Sequence, residues 1–456
     1  MADVPTPRAL RGWRAWGVAR RLAGGVREPA FRALVQQVDG GPLHAGPSPL
    51  LLPDGEAAFT RMRAAIAGAR DEVLLETYIL RDDRLGHTMQ TTLMEAARRG
   101  VRVSVLADAL GSFRTADRFW VTLEAAGVQV RHFHRFWYHP FDAVRRDHRK
   151  LLVIDRAIAF TGGMNIGNEY GSNPTVQAEA WRDSFVETAG SVARELAAVF
   201  AEGWDRAGGA ALPGLAYVSW NERVAPAPDV ARPPRARALQ ERLQWQLQAR
   251  RARREDRRRG RRVRRQAELA GDDVPAVLVM DPRPGRGQRE MLTVLAALVG
   301  GARERLWVTT PYFAPPSRAL GLLTAAAQRG IDVRLLLPGE RTDVPIARHA
   351  AHGAYATLLA QGVRIYEYQR AMLHAKTLVV DGFASVIGSS NLDFRSFWLN
   401  AECNLLVFDD RFGAELEASF VADLAASTEI TRDRWRQRPV GHRVGDIVAR
   451  AMRWAL

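Results

Sequence analysis

The chain has a single cysteine, Cys403, in 456 residues, which excludes an intrachain disulfide framework and points to a reducing compartment. Cys403 itself reads as a small buried hydrophobe. Long apolar runs are also missing. The longest, Met291 to Ala302, falls well short of the roughly 18 residues that cross a bilayer. The N-terminus carries arginines but no apolar core followed by a small-residue cleavage site, so no secretory leader is expected and the protein is expected in the cytoplasm. Basic charge is scarce where a substrate groove would need it. The net charge is +15, yet residues 232–268 hold fifteen arginines against Glu241, Glu255, Asp256 and Glu268, which leaves only +4 for the rest of the chain. Basicity confined to one segment is a weak argument for a nucleic-acid groove, and a charge run of this kind usually marks a solvated face.

What is present is a folded protein, 47% apolar, too long for one compact domain and suited to two lobes with separate cores. Pro226, Pro228, Pro233 and Pro234 precede the arginine-rich stretch, and Gly271-Asp272-Asp273-Val274-Pro275 follows it, so chain breakers bound an interlobe connection. The same order of features appears on either side of it. Val73 to Leu80 and Leu306 to Phe313 read as buried strands. Helical segments then end at Arg99-Gly100 and Arg329-Gly330 before the apolar runs Val101 to Leu106 and Ile331 to Leu337. Strands alternating with helices predict an α/β architecture, and the duplication predicts a pseudo-twofold between two α-β-α lobes. The expected division is a basic N-terminal segment 1–44, a first lobe 45–215, a connection 216–275, a second lobe 276–430 and a C-terminal helix 431–456.

Each half reaches the same motif. The first reads His148-Arg149-Lys150-Leu151-Leu152-Val153-Ile154-Asp155, then Gly162-Gly163-Met164-Asn165 after six residues. The second reads His374-Ala375-Lys376-Thr377-Leu378-Val379-Val380-Asp381, then Gly388-Ser389-Ser390-Asn391 at the same spacing. His and Lys at i and i+2 of an extended segment project from one face, while the apolar residues after them bury the strand. Asp381-Gly382 is a two-residue hairpin signal and Asp155-Arg156 stands in the same place. Hairpins closing there put His148 opposite Gly163 and His374 opposite Ser389, with Asn165 and Asn391 beside the His-bearing ends. The small residues then leave room for a ligand, and Asn offers amide donors.

Two such sets brought together surround one phosphate. Lys150, Lys376, Asn165 and Asn391 on its non-bridging oxygens offset the charge that builds during attack. One imidazole attacks phosphorus, and the other protonates the departing alkoxide and later deprotonates the incoming alcohol. This chemistry calls for no metal and no cofactor. Asp155 and Asp381, at the hairpin turns, are expected to position the motif rather than move protons. Asp183 and Glu402, downstream of the two motifs, are candidates to orient the imidazoles through their second nitrogen.

The repeated pattern resembles the phospholipase D superfamily, whose signature is His-x-Lys-x4-Asp followed by a glycine-rich turn and Asn. Beyond the motifs, Leu75-Glu76-Thr77-Tyr78-Ile79, Arg99-Gly100-Val101-Arg102-Val103, Thr310-Pro311-Tyr312-Phe313 and Ser389-Ser390-Asn391-Leu392-Asp393-Phe394-Arg395-Ser396-Phe397 are similar to bacterial cardiolipin synthases of the short type without N-terminal spanning helices. That resemblance implies two phospholipase D-like lobes with the active site at their interface. It also implies transfer of a phosphatidyl group between phosphatidylglycerols, with His148 holding the group, His374 as acid and base, and glycerol released. The pseudo-twofold allows the opposite polarity.

The arginine-rich connection is outside the family pattern. It suits anionic lipid, where each nearby cation contributes about 1 kcal/mol, so the expected partner is an anionic membrane contacted peripherally from the inner face. Leu10, Trp13 and Trp16 among Arg8, Arg11 and Arg14 suit a membrane interface. Val444, Ile447, Val448, Ala451 and Ala455 fall on one face of a helix, fit either for a membrane or for docking on the protein itself. Rival readings are a hydrolase or a nucleic-acid phosphodiesterase of the same superfamily, and an inactive membrane-surface protein. Oligomeric state is not legible.

Overall fold

The computed structural model describes residues 13–133, 145–171, 180–215, 274–283 and 288–438. The arginine-rich connection, residues 1–12 and the C-terminal residues 439–456 lie outside them, and with them the readings made for those segments.

Two mixed sheets carry the duplication. The first runs Leu50–Leu52, Phe185–Ala189, Ile158–Gly162, Leu151–Ile154, Glu72–Thr77, Arg102–Asp108, Gln129–Phe133. The second repeats that order as Ala276–Met280, Asn404–Phe408, Ala384–Gly388, Thr377–Val380, Arg305–Thr309, Asp332–Pro338, Arg364–Tyr368. It also gains Leu43–Ala45 at one edge and Ser427–Ile430 at the other. In both sheets the last three strands of the shared order are parallel and the remainder antiparallel. Every residue of Glu72–Thr77 and Ala276–Met280 is buried, as expected of central strands covered on both faces.

The layers alternate helix and sheet. An outer core of the first lobe joins Phe59, Met62, Met89 and Leu93 to its sheet. A shared core between the sheets takes Leu196, Phe200 and Trp204 from helix Ser191–Arg206 and Phe412, Leu416 and Phe420 from helix Asp410–Ala425. The outer core of the second lobe is built on helix Gln288–Gly301. The α/β fold of two repeated lobes is thus as the sequence implies.

Three expectations change. First, residues 13–45 do not form a separate segment. Ala15, Ala19, Phe31, Leu34 and Val35 are buried in the second lobe's outer core, and Leu43–Ala45 pairs with Ala276–Met280. The tryptophan-arginine pattern of helix Trp13–Arg21 therefore belongs to a helix docked on its own protein, with Arg20 and Arg329 over the ring of Trp16. Second, the first lobe begins later than residue 45: Ala45 pairs with Ala276 in the second sheet and the Gly46 N–H donates to Pro275 O, so the first lobe's sheet starts at Leu50–Leu52. Third, the motif hairpins close one residue later than a two-residue loop would require. Asp155, Arg156, Asp381 and Gly382 take positive φ, as that turn demands, but Leu152 pairs with Phe160 and Leu378 with Val386. Ala157 and Phe383 are the extra residues, and extending the register sets His148 level with Met164 and His374 level with Ser390. A one-residue shift changes which side chains share a face.

Candidate active site

The two motif histidines sit just before their strands, where each lobe reaches into the other. The His148 N–H donates to Ala401 O and the Ala401 N–H to Arg146 O. Reciprocally, the His374 N–H donates to Arg182 O and the Arg182 N–H to Met372 O. Each is a short parallel bridge, Asp147 to Ala401 and Arg182 to Leu373. One consequence is that the carboxylates following Ala401 and Arg182 are exchanged between lobes.

Glu402 Oε2 lies 3.0 Å from His148 Nδ1, and Asp183 Oδ2 lies 2.7 Å from His374 Nδ1. Both carboxylates are fully buried. With Nδ1 donating to a carboxylate, each ring presents the lone pair of Nε2. Glu402 is itself held by Ser389 Oγ at 2.5 Å, Ser396 Oγ at 2.8 Å and Asn400 Nδ2 at 3.3 Å. A Cβ added at Gly163 would meet the Asp183 carboxylate at 2.2 Å. The small residues after the second motif strands therefore admit the orienting carboxylates, rather than leaving open room for a ligand.

The lysines converge on the same place. Lys150 Nζ donates to His148 O at 2.6 Å and lies over the ring of Tyr78. Lys376 Nζ sits 2.8 Å from His374 Nδ1 and 3.3 Å from its Nε2. Burial pushes Lys150 down to about 7 and Lys376 down to about 8, against the pull of Glu402 and Asp183. Burial likewise takes His374 down to about 3, with Lys376 reinforcing and Asp183 opposing. His148 is lowered by burial and Lys150 while Glu402 resists. Each lysine also acts on the imidazole of the opposite lobe, which places all four groups in one electrostatic neighbourhood.

The asparagines differ. Asn165 Nδ2 donates to Tyr170 OH at 3.1 Å and its Oδ1 accepts from the Ile79 N–H. Asn391 is fixed through its own N–H to Ser396 Oγ, while its buried Oδ1 has no hydrogen-bond partner among the described residues. Asp155 and Asp381 stay away from the imidazoles. Asp155 accepts from the N–H groups of Arg70, Asp71 and Glu72, and Asp381 from those of Arg303, Glu304 and Arg305. Burial opposes ionisation of Asp155, but these donors hold it below the usual carboxylate range.

Sequence reasoning missed the aromatic wall and the ionic cluster. Tyr170, Trp181 and Tyr312 surround the His374 ring and Tyr78 packs on His148. Tyr78 and Tyr312 stood in stretches already singled out at strand ends. Arg149, the middle residue of the first motif, is buried with Asp147, Glu76 and Asp281, and Arg283 binds Asp281 and Glu202.

Residues 62–202 and 295–424 match the family model described as cardiolipin synthase, PLD-like domain. The chain belongs to this family. The cardiolipin synthase of Geobacillus kaustophilus is 32% identical over 437 residues, covering 93% of this chain and 76% of its own. Cardiolipin synthase A of Pseudomonas fluorescens is 32% identical over 458 residues, covering 98% and 84%. In three dimensions the chain is similar to the phosphatidylserine synthase of Haemophilus influenzae, with a TM-score of 0.65 and 15% identity over 94% of this chain and 100% of that one; at that identity the likeness speaks for the fold. The stretches assigned to the cardiolipin synthase, PLD-like family contain both motifs and both exchanged carboxylates, whereas helices Trp13–Arg21 and Pro29–Asp39 precede them.

Proposed function

We propose that this protein is a phosphatidyltransferase that joins two phosphatidylglycerols into cardiolipin and releases glycerol. The observation that carries the reading is the pairing of two buried imidazoles, each backed by a carboxylate of the opposite lobe, with two buried lysines. One imidazole Nε2 attacks phosphorus, a P–N bond forms and the P–O bond to the glycerol headgroup breaks. The other imidazole, protonated, gives its proton to that oxygen, and glycerol leaves. It then takes the proton from a hydroxyl of the second phosphatidylglycerol, whose oxygen attacks phosphorus and frees the first ring. Lys150 and Lys376 hold the non-bridging oxygens, Asn391 adds an amide, and Asp155 and Asp381 anchor the motif hairpins.

Resemblance assigns the attack to His148 and acid-base work to His374. Burial and Lys376 press His374 further toward the neutral form, the form an attacking ring needs, so trapping the phosphatidyl-bearing peptide by a rapid denaturing quench at alkaline pH, where the P–N bond survives, assigns the polarity. Among the described residues no helix is long and apolar enough to cross a membrane. The reading also includes, from the arginine run of residues 235–265, peripheral attachment to the anionic inner face of the membrane, and deleting those residues is expected to weaken vesicle binding most at low salt.

The deciding experiment offers purified protein phosphatidylglycerol vesicles and, separately, a labelled oligonucleotide. Cardiolipin and glycerol in equal amounts by mass spectrometry support the proposal. Phosphatidic acid alone makes the protein a hydrolase, and oligonucleotide cleavage without lipid turnover overturns the lipid reading.

A further inference from the structure

The pseudo-twofold breaks at one place next to the catalytic lysine of the second lobe. A largely apolar pocket runs from Lys376 and Ser390 down beneath helix Gln288–Gly301, between Met291, Leu295 and Leu298 on the helix and Val386 on the sheet. Its accessible volume is about 40 Å³, more than the roughly 10–15 Å³ that admits one water, which suits a narrow hydrocarbon chain rather than a bulky group.

The first lobe has the same backbone but fills that space. Register identifies the counterparts: Leu152 pairs with Phe160 where Leu378 pairs with Val386, and Gly162 pairs with Phe185 where Gly388 pairs with Asn404. The motif alignment sets Met164 against Ser390. Phe160, Met164 and Phe185 are all buried in the first lobe's outer core. Val386, Ser390 and Asn404 replace these three large apolar side chains with smaller or polar ones, and all three line the pocket. Ser390 and Asn404 hold each other, Asn404 Nδ2 donating to Ser390 Oγ at 2.7 Å and the Ser390 N–H donating to Asn404 Oδ1 at 3.1 Å. The lining is thus polar and fixed at Ser390 and Asn404 and largely apolar elsewhere.

We propose that this pocket receives one acyl chain of the phospholipid whose phosphate lies against Lys376. The inference rests on the phosphatidyl-transfer reading and deepens it by making the two lobes unequal toward lipid. An amphiphile with an anionic phosphodiester and a flexible hydrocarbon tail matches a cavity lined by a buried lysine and by aliphatic side chains. Met280 and Met291 in its wall adapt to a chain of variable shape. In the first lobe the corresponding positions are taken by Phe160, Met164 and Phe185.

Two measurements test this on the full chain. Val386→Phe restores the first lobe's side chain in the second. It is expected to lower kcat/KM for dipalmitoyl phosphatidylglycerol at least tenfold while turnover of dibutanoyl phosphatidylglycerol stays within twofold. Equal effects on both substrates, or none, overturn the proposal, and an unchanged thermal unfolding midpoint establishes that the variant is folded. Photolabelling of the wild-type protein with a phosphatidylglycerol carrying a diazirine in its acyl chain is expected to mark residues 288–301 over any helix of the first lobe. Cardiolipin formation with no label there overturns the pocket. Label there with no cardiolipin formed keeps the pocket and defeats the reaction instead.

Discussion

Glu402 approaches the imidazole of His148 to 3.0 Å across 254 residues of chain, and comes from the other lobe. Its mirror, Asp183 on His374, spans 191 residues in the opposite sense. Neither lobe thus holds a complete histidine-carboxylate pair, and the ring geometry exists only when the lobes are docked. Glu402→Gln keeps shape and hydrogen-bonding capacity but removes the negative charge that fixes the Nδ1–H tautomer. It is expected to lower kcat by roughly 10²- to 10⁴-fold with little change in unfolding midpoint. A kcat within twofold of wild type would show that the contact is structural.

The buried lysines make phosphate binding pH-dependent. Lys150 lies at about 7 and Lys376 at about 8, both lowered, so the ammonium forms dominate below those values and are lost as pH rises through them. Diethyl phosphate is monoanionic throughout, so its affinity reports the lysines alone. By calorimetry its Kd is expected to rise between pH 6 and 9, by about tenfold per unit where one lysine must be reprotonated and approaching about a hundredfold per unit at the upper end, where both must. Arginine stays charged across this range, so Lys150→Arg is expected to flatten the part of the rise near pH 7. A Kd independent of pH in the wild type contradicts the assignment.

How much of this was legible in the sequence follows the range of the interactions. The His-x-Lys pairs, the turns at Asp155 and Asp381 and the anchoring role of those aspartates rest on neighbouring positions and on a pattern written twice. The extra residues Ala157 and Phe383 carry no local signal, because the positive-φ turn before them is satisfied by either register. The exchange of Glu402 and Asp183 between lobes rests on pairings of Ala401 with Asp147 and Leu373 with Arg182 that no spacing encodes. Helix Trp13–Arg21 looks alike whether its apolar face meets lipid or protein. What decides is the partner: a Cβ at Gly300 would meet Trp16 O at 2.5 Å, so only a glycine there lets the two helices come this close.

Asp155 separates an anchoring role from a chemical one. Removing three backbone hydrogen bonds by Asp155→Ala is expected to cost about 1–3 kcal/mol of stability while leaving kcat of the folded fraction within a few-fold. The native carboxyl is held below its ordinary value by those N–H groups although burial opposes it. Its stabilisation is therefore full above the unfolded pKa and is lost as pH falls through the lower folded value. Asp155→Asn is expected to flatten the acid limb of the unfolding profile. A large loss of kcat in a variant of unchanged stability would instead make Asp155 part of the chemistry.

Cys403 provides a check on the core beside Glu402. It is completely buried, and burial raises its thiol well above the ordinary range, so the thiolate that reacts with disulfide reagents is scarce. The native protein is expected to show no reactive thiol with Ellman's reagent and one after denaturation in guanidinium. Rapid native labelling would mean that the segment carrying Glu402 opens readily.

Arg149 ties the interlobe geometry to the first motif. Its guanidinium meets Glu76 at 2.7 Å and Asp147 at 3.0 Å within the first lobe and Asp281 at 3.5 Å from the second, with almost no exposure. Burial pushes Glu76 well up and Asp281 up to about 6, with Arg149 opposing in both cases, so the cation favours their charged forms against burial. Deleting one partner of a buried cluster leaves uncompensated charge, and Arg149→Met is expected to cost about 3–5 kcal/mol. Arg149→Lys retains the charge but reaches one carboxylate at a time, so it is expected to recover only part of that stability. Because His148 and Lys150 flank Arg149, the lysine variant is also expected to lose kcat while folded. Full stability and full activity in Arg149→Lys would mean that charge alone matters, and that the forked contact to both lobes does not hold the motif in place.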